Sequence, residues 1–275
     1  ISAYNYFQNG GTSLIVTKVA NGSWNAASSS LMATGSYSST LAVDTSPFVL
    51  ETLSDGAIMN SSGSGTNTGA NNTLTSGSAD NFRWEISTPN TSSGVFSLII
   101  RQGNDTKTSQ QVIETFSNVS LDPLATNYVS KVVGDQIQTV RGGAGERYLQ
   151  TSGSYRNASR YVRVSAVNFQ TPNYFDNAGT AKDIYTGSIP AAQSGSFGAG
   201  VGATTRAGAN YYQAINNTDS QGLVGAEYAI GINLLGNRDE FRYNLITAPG
   251  LVLANGTTGD GWTTIQSNCE SRGDA

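Results

Sequence analysis

Asp80–Gln138, DNFRWEISTPNTSSGVFSLIIRQGNDTKTSQQVIETFSNVSLDPLATNYVSKVVGDQIQ, is the stretch whose reading decides the fold. Phe82, Trp84 and Ile86 alternate with Arg83 and Glu85, the period of two expected of a strand with one buried and one wet face. Pro89, Asn90 and Gly94 are turn formers, and they separate this strand from a dense apolar run, Val95 to Arg101, that reads as its hairpin partner. Gly103-Asn104-Asp105 makes the next turn, and the β-branched run Val112 to Phe116 reads as a third strand. The period then changes. Asp122 as N-cap, Pro123 at the first helical position, Leu124, Tyr128 and Val132 at four-residue spacing and Gly134 as a left-handed cap predict one short helix.

Working outward, Ala3, Tyr4 and Phe7 followed by Gly10-Gly11 read as a helix end with a glycine cap, and Leu14 to Val19 as a buried strand. Residues 21–79 turn to Ser, Thr, Gly and Asn, with one strand expected at Phe48 to Leu53. The tract at 60–78 lacks the apolar area to offset its ordering entropy and reads as an exposed loop. Arg160 to Val167 alternates again and belongs to the same sheet as the central hairpin. Leu223 to Leu235 has the apolar face of a helix closed by Gly236-Asn237, and Phe241, Tyr243 and Leu245 then alternate into Ile246 as a strand. Ile265 to Arg272 reads as the close of another helix. The fold class expected is therefore α+β: an α/β core formed by both chain ends, residues 1–20 and 221–275, with a β-rich inserted region at 21–220.

Composition narrows the function. Only 12% of the 275 residues are charged, against about 25% in ordinary domains, while 13 Tyr, 9 Phe and 3 Trp set the chain apart from disordered sequences. A formal net charge of −4 with scattered Lys and Arg gives no basic surface for nucleic acid. No apolar run approaches the ~20 residues of a membrane-crossing helix, so no membrane insertion is expected. The single cysteine, Cys269, excludes an intramolecular disulfide and a Cys-rich metal site, and it reads as a small buried hydrophobe.

No histidine is present, which removes the commonest general base and metal ligand together with every Ser-His-Asp arrangement. The adjacent acids Asp239 and Glu240 read as a solvated loop, Asn104-Asp105 and Asp122 as turn and cap, and Arg272-Gly273-Asp274 as a glycine-capped helix end, although it spells an adhesion tripeptide. Nine Asn-X-Ser/Thr sequons, at Asn21, Asn60, Asn71, Asn90, Asn104, Asn118, Asn157, Asn216 and Asn255, follow from the abundance of these residues. Residues 198–208, GAGVGATTRAG, carry glycines near dinucleotide spacing, but no apolar strand precedes them and no helix follows, so no phosphate site is expected. No catalytic residue, cofactor or metal site is expected, and the chain reads as a non-enzyme.

The runs GVFSLIIRQGND, VIETFSNVSLDP and NYVSKVVGDQ, with AYNYFQNGGTSLIVTKV near the start and EYAIGINLLGNRDEFRYNLITAPGL and CESRGD near the end, resemble the contractile tail sheath proteins of T-even-type bacteriophages. The resemblance implies a structural subunit that stacks as hexameric rings around an inner tail tube and contracts to drive the tube through the host envelope. It implies self-association, contact with the tail tube protein and with baseplate and tail terminator proteins, and a place in the virion after assembly in the host cytoplasm. The α/β core would face the tube and the insert would project outward, in a chain that lacks the family's terminal portions. A β-rich secreted or virion-surface adhesin is the alternative that the composition leaves open.

Overall fold

The computed structural model describes residues 2–17, 25–29, 46–55, 82–106, 108–143, 146–200, 225–248 and 261–275. In chain order the elements are α1 (Ser2–Gln8), β1 (Ala26–Ser29), β2 (Phe48–Asp55), β3 (Phe82–Asn90), β4 (Val95–Gln102), β5 (Val112–Ser120), α2 (Val129–Val133), β6 (Ile137–Arg141), β7 (Tyr148–Ser152), β8 (Val162–Val167), α3 (Asp183–Thr186), β9 (Gln193–Gly198), α4 (Gly225–Leu235) and α5 (Gly261–Arg272). The protein is mostly β-sheet with few helices, an arrangement compatible with α+β only in that broad sense. The chain divides into two compact units, one of residues 23–138 and 151–204, the other of residues 1–22, 139–150 and 205–275.

The first unit is built on one seven-stranded antiparallel sheet of order β5-β4-β3-β9-β1-β2-β8. The hairpin expected from the central stretch is present, with Trp84 opposite Ile100 and Ile86 opposite Leu98, and Asn90 Oδ1 accepting the amides of Ser92 and Ser93 in its turn. β5 follows as the third strand and runs four residues past Phe116. The expected strands at Phe48 and within Arg160 to Val167 are β2 and β8, paired with one another at the other end of the sheet. Phe48, Leu50, Trp84, Ile86, Phe96, Leu98, Ile100, Val162, Val164 and Phe197 make one buried core with α2. Each such large side chain contributes about 1.5–3 kcal/mol by leaving water.

The sheet curls until its two edge strands, β5 and β8, both pack on α2. Val133 O accepts the amides of Ala158 and Ser159, and Gly134 O accepts the amide of Val164 in β8. Across the same seam, Glu114 of β5 accepts from the Ser159 hydroxyl at 2.6 Å and from the Arg160 amide at 3.0 Å. Side-chain and loop contacts thus close a gap that no strand ladder spans.

Four expectations change in this unit. The face of β3 carrying Arg83 is not wet: Arg83 is fully buried, because the chain returning after β4 brings Asp105 against it. The helix begins at Val129 rather than after Asp122, since Ser120 donates to Asn127 O and bridges to Tyr128, which holds those residues extended and leaves Leu124 68% exposed. Asp122 still caps, but it caps a turn, accepting from the Leu124 amide at 2.9 Å. Gly134 follows the helix with positive φ but with ψ 155, outside the left-handed helical region. Finally, a strand does precede residues 198–208. It is β9, QSGSFG, and it lies at the centre of the sheet between β3 and β1. Residues 60–78 and 201–208 lie outside the described residues.

In the second unit, α1 ends as expected, with Gly10 at φ +90° and the Gly11 amide on Tyr6 O. Leu14 to Thr17 is not a strand, and Val16 is 78% exposed. Phe241 to Ile246 is irregular as well, with Leu245 73% exposed. The strand pattern is in the sequence, but among the described residues no strand pairs with either segment, and period-two alternation forms a strand only when a neighbour pairs with it. The helices are present: α4 and α5 pack through Tyr228, Ile232 and Ile265, with Trp262, Ile246, Ala248 and Cys269 partly buried against them. Cys269 is thus half-buried rather than fully enclosed.

Candidate functional site

Three polar constellations stand out among the described residues, and the second and third border open hollows, of about 840 Å³ and about 360 Å³. The first is an ion cluster beneath the turn after β4. Arg83 and Arg101 face each other across the hairpin, and the fully buried Asp105 carboxylate lies 3.1 Å from Arg83 Nη1 and 2.6 Å from Arg101 Nε. Arg101 also pairs with Glu85 at 2.5 Å, Arg83 Nη2 donates to Gly103 O, and the Gln111 amide donates to Asp105 Oδ2. Burial lowers the Arg83 pKa despite the pull of Asp105. Burial acts on Arg101 in the same direction, but its bonds to Asp105 and Glu85 outweigh it and leave that pKa raised. Both guanidinia donate to partners of the protein itself, so the cluster pins the 103–111 connection. Asp105, which the sequence suggests as a turn residue alone, is its hub.

The second constellation closes the helix pair of the chain-end unit. Arg272 donates from Nη1 to Leu235 O at 2.9 Å and from Nη2 to Phe241 O at 3.1 Å, and stacks over the Tyr243 ring at 4.2 Å. Asn268 donates to Ile232 O. Ile232 O and Leu235 O lie in the last turn of α4, where carbonyls run out of helical partners, and Ile232 O also accepts the Gly236 amide at 3.0 Å. Burial raises the Tyr243 pKa, against the opposing effect of Arg272. Gly273 adopts φ +69° and its amide bonds Cys269 O, the glycine-capped helix end expected. The tripeptide that spells an adhesion signal therefore has its arginine buried and committed inside the fold.

The third is a hollow of about 360 Å³ beside the edge strand β8, lined among others by Tyr128, Ser130, Asp135, Ser152, Arg163 and Gln170. α2 supplies Ser130 and, at its N-terminal flank, Tyr128. The residues leaving α2 supply Asp135, whose Oδ1 accepts the Tyr155 amide at 2.7 Å. Arg163 comes from β8 and is held by both oxygens of Glu51 at 3.0 Å and by Asp135 O at 3.3 Å. No local motif marks these residues. They are 35 positions apart between Tyr128 and Arg163 and meet only because the sheet curls around α2.

The remaining candidates lie apart. Asp239 and Glu240 are exposed in a turn, where Glu240 accepts the Leu149 amide at 3.4 Å. Among the described residues no group of three or more His, Cys, Asp or Glu side chains could hold a metal ion, and no helix is long and apolar enough to cross a membrane. Of the sequons, Asn157 has both side-chain atoms on the backbone of Gln136, which ties up the nitrogen a glycan would need. Asn21, Asn60, Asn71, Asn216 and Asn255 lie outside the described residues. No protein-family model matches the chain, and neither a curated protein nor a solved structure matches it.

Proposed function

We propose that the chain is a structural subunit of a contractile bacteriophage tail sheath, a non-enzymatic protein that assembles as stacked hexameric rings around an inner tail tube. Its partners in this reading are other copies of itself, the tail tube protein, and the baseplate and tail terminator proteins. Its place is the virion, after assembly in the host cytoplasm. The motif resemblance at both ends and in the middle of the sequence motivates the reading. The observation that carries it furthest is the division of the chain: both chain ends contribute to one compact unit, while the seven-stranded sheet is built from the residues between them. With residues 139–150 also returning to the chain-end unit, this division is compatible with a domain inserted into a core, and in this reading the chain-end unit belongs to the α/β core while the sheet projects outward.

The polar networks fit a mechanical role. Buried ion pairs and helix-end bonds stiffen each unit from within. A sheath works by moving rigid subunits against one another between two packed arrangements, so the free energy of contraction resides in the assembly. Electron microscopy of the native particle is the test. Density for this chain in a helical stack of rings around a tube is the expected result. Its appearance at fibre tips or on a cell surface would replace the sheath reading with that of an adhesin.

A further inference from the structure

The hollow beside β8 is lined by side chains that are buried yet uncommitted. Tyr128 is 6% exposed and Ser130 is 5% exposed. Neither hydroxyl has a hydrogen-bond partner among the described residues, and neither is sealed away from solvent. Buried polar side chains normally find partners within the protein. Here both residues line the hollow. Asp135 uses only Oδ1 within the protein, and Ser152 and Gln170 at the rim make no side-chain bond among the described residues.

The chemistry of the walls selects a ligand class. Arg163 is the cation among the lining residues, and its guanidinium already serves Glu51 and Asp135 O. With Asp135 and Glu51 alongside, the local charge balance is negative, which disfavours phosphate, sulfate or a carboxylate ligand. A single lining carboxylate is too little for a divalent cation, which takes several oxygen ligands. What is offered is a set of hydroxyls, one amide and one carboxylate oxygen, able both to donate and to accept, beside the apolar side chains of Ile137, Val164, Ala166 and Val167. The volume of about 360 Å³ lies at the lower end of the ~300–1,000 Å³ typical of small-ligand sites.

We infer that this hollow binds a neutral, hydroxyl-rich ring of monosaccharide size, held by Tyr128, Ser130 and Asp135 on one wall and closed at the rim by Ser152 and Gln170. The inference goes beyond the sheath reading and does not depend on it. A sugar unit can arrive free or as part of a cell-envelope glycan, and both present the same chemistry to these walls.

The test is saturation-transfer NMR and calorimetry on the full chain. The probes are glucose, galactose, mannose and N-acetylglucosamine as free sugars, and short oligosaccharides of each. Saturable binding of at least one sugar in the millimolar range is expected, as suits a few hydrogen bonds in an open site. Tyr128→Phe, which removes one oxygen from an otherwise unchanged ring, should weaken it roughly threefold to tenfold. Ser152→Phe at the exposed rim should abolish it while thermal unfolding stays at the parent value. Tighter binding of an oligosaccharide than of its free unit would identify a glycan as the source, and equal binding a free sugar. No saturable binding by any probe, or binding that both substitutions leave unchanged, would overturn the inference.

Discussion

Replacing Asp105 with alanine should be among the most damaging single changes to the sheet-bearing unit, and the structure says by how much. The substitution removes the carboxylate that sits 3.1 Å from Arg83 and 2.6 Å from Arg101 and accepts the Gln111 amide. It leaves two buried guanidinia with one carboxylate between them, Glu85, which is partly exposed, pairs with Arg101 and also accepts from Gln110. Breaking a buried pair in this way costs about 3–5 kcal/mol, because the desolvated charge left behind has no compensation. Domain stabilities are of order 5–15 kcal/mol, so about a fifth or more of the total is at stake. For a unit of this size the melting midpoint should fall by roughly 6–20 °C. Trp84 is fully buried beside the cluster, and its fluorescence during urea unfolding is the assay. Glu85→Gln, at the exposed end of the network, should cost only about 1 kcal/mol. Replacing Arg83, Arg101 and Asp105 together with Met, Met and Leu should restore most of the loss, since a dry apolar cluster carries no unpaired charge. If Asp105→Ala lowered stability by less than about 1 kcal/mol, the picture of a charge-locked turn would be wrong.

Other perturbations follow from the same geometry. Glu114→Ala removes two bonds across the seam to Ser159 and Arg160; a loss of about 2–3 kcal/mol is expected, with faster hydrogen exchange at residues 158–164, and unchanged exchange there would contradict the seam. Gly134→Ala should destabilise strongly, because φ is +105° and a Cβ would run into the backbone of Asn157; a parent-like urea midpoint would show that the turn can relax. Burial raises the Tyr228 pKa above its ordinary 10.0. The folded state therefore holds that proton longer than the unfolded chain, and stability should fall as pH rises from about 10 toward the folded-state value. Tyr228→Phe should flatten this alkaline limb when unfolding is followed through Trp262, and an identical slope in the variant would exclude Tyr228 as its source.

How much of this was legible beforehand depended on whether the determining neighbour is near in sequence. β3 and β4 are joined by a four-residue turn, and their alternation, turn residues and pairing could all be read locally. α4, α5 and the capped end at Gly273 were equally open to reading, since a helix and its glycine cap are local structures. β9 was hidden. QSGSFG carries one large apolar residue, and its small side chains suit a central position because Trp84 lies opposite Gly195 and donates its indole N–H to Ser196 O. Small residues of that kind read as loop when the tryptophan 112 positions away is not in view. Arg83 was misplaced for the same reason: the rule for one wet face holds until another segment covers it. The hollow left no sequence signal at all, since Tyr128, Asp135 and Arg163 are ordinary residues until α2 is set between the edge strands.

The central position of β9 also dictates the order in which the sheet can form. On one side lie β3, β4 and β5, consecutive in the chain; on the other lie β1, β2 and β8; β9 alone joins the two sets. During synthesis the first set can zip into hairpins early, on the microsecond scale of local pairing. The other set waits for residue 167, and although α2 and Glu114 can already bring β5 and β8 together, the strand ladder between the two sets cannot close until residues 193–198 have left the ribosome. Loop-closure entropy over more than a hundred residues makes that last insertion slow. Refolding should therefore end on a single late phase in which Trp84 becomes buried, and a chain truncated before residue 193 should retain the local hairpins but never reach that phase. Full burial of Trp84 in such a truncated chain would show that the two halves associate without the strand between them.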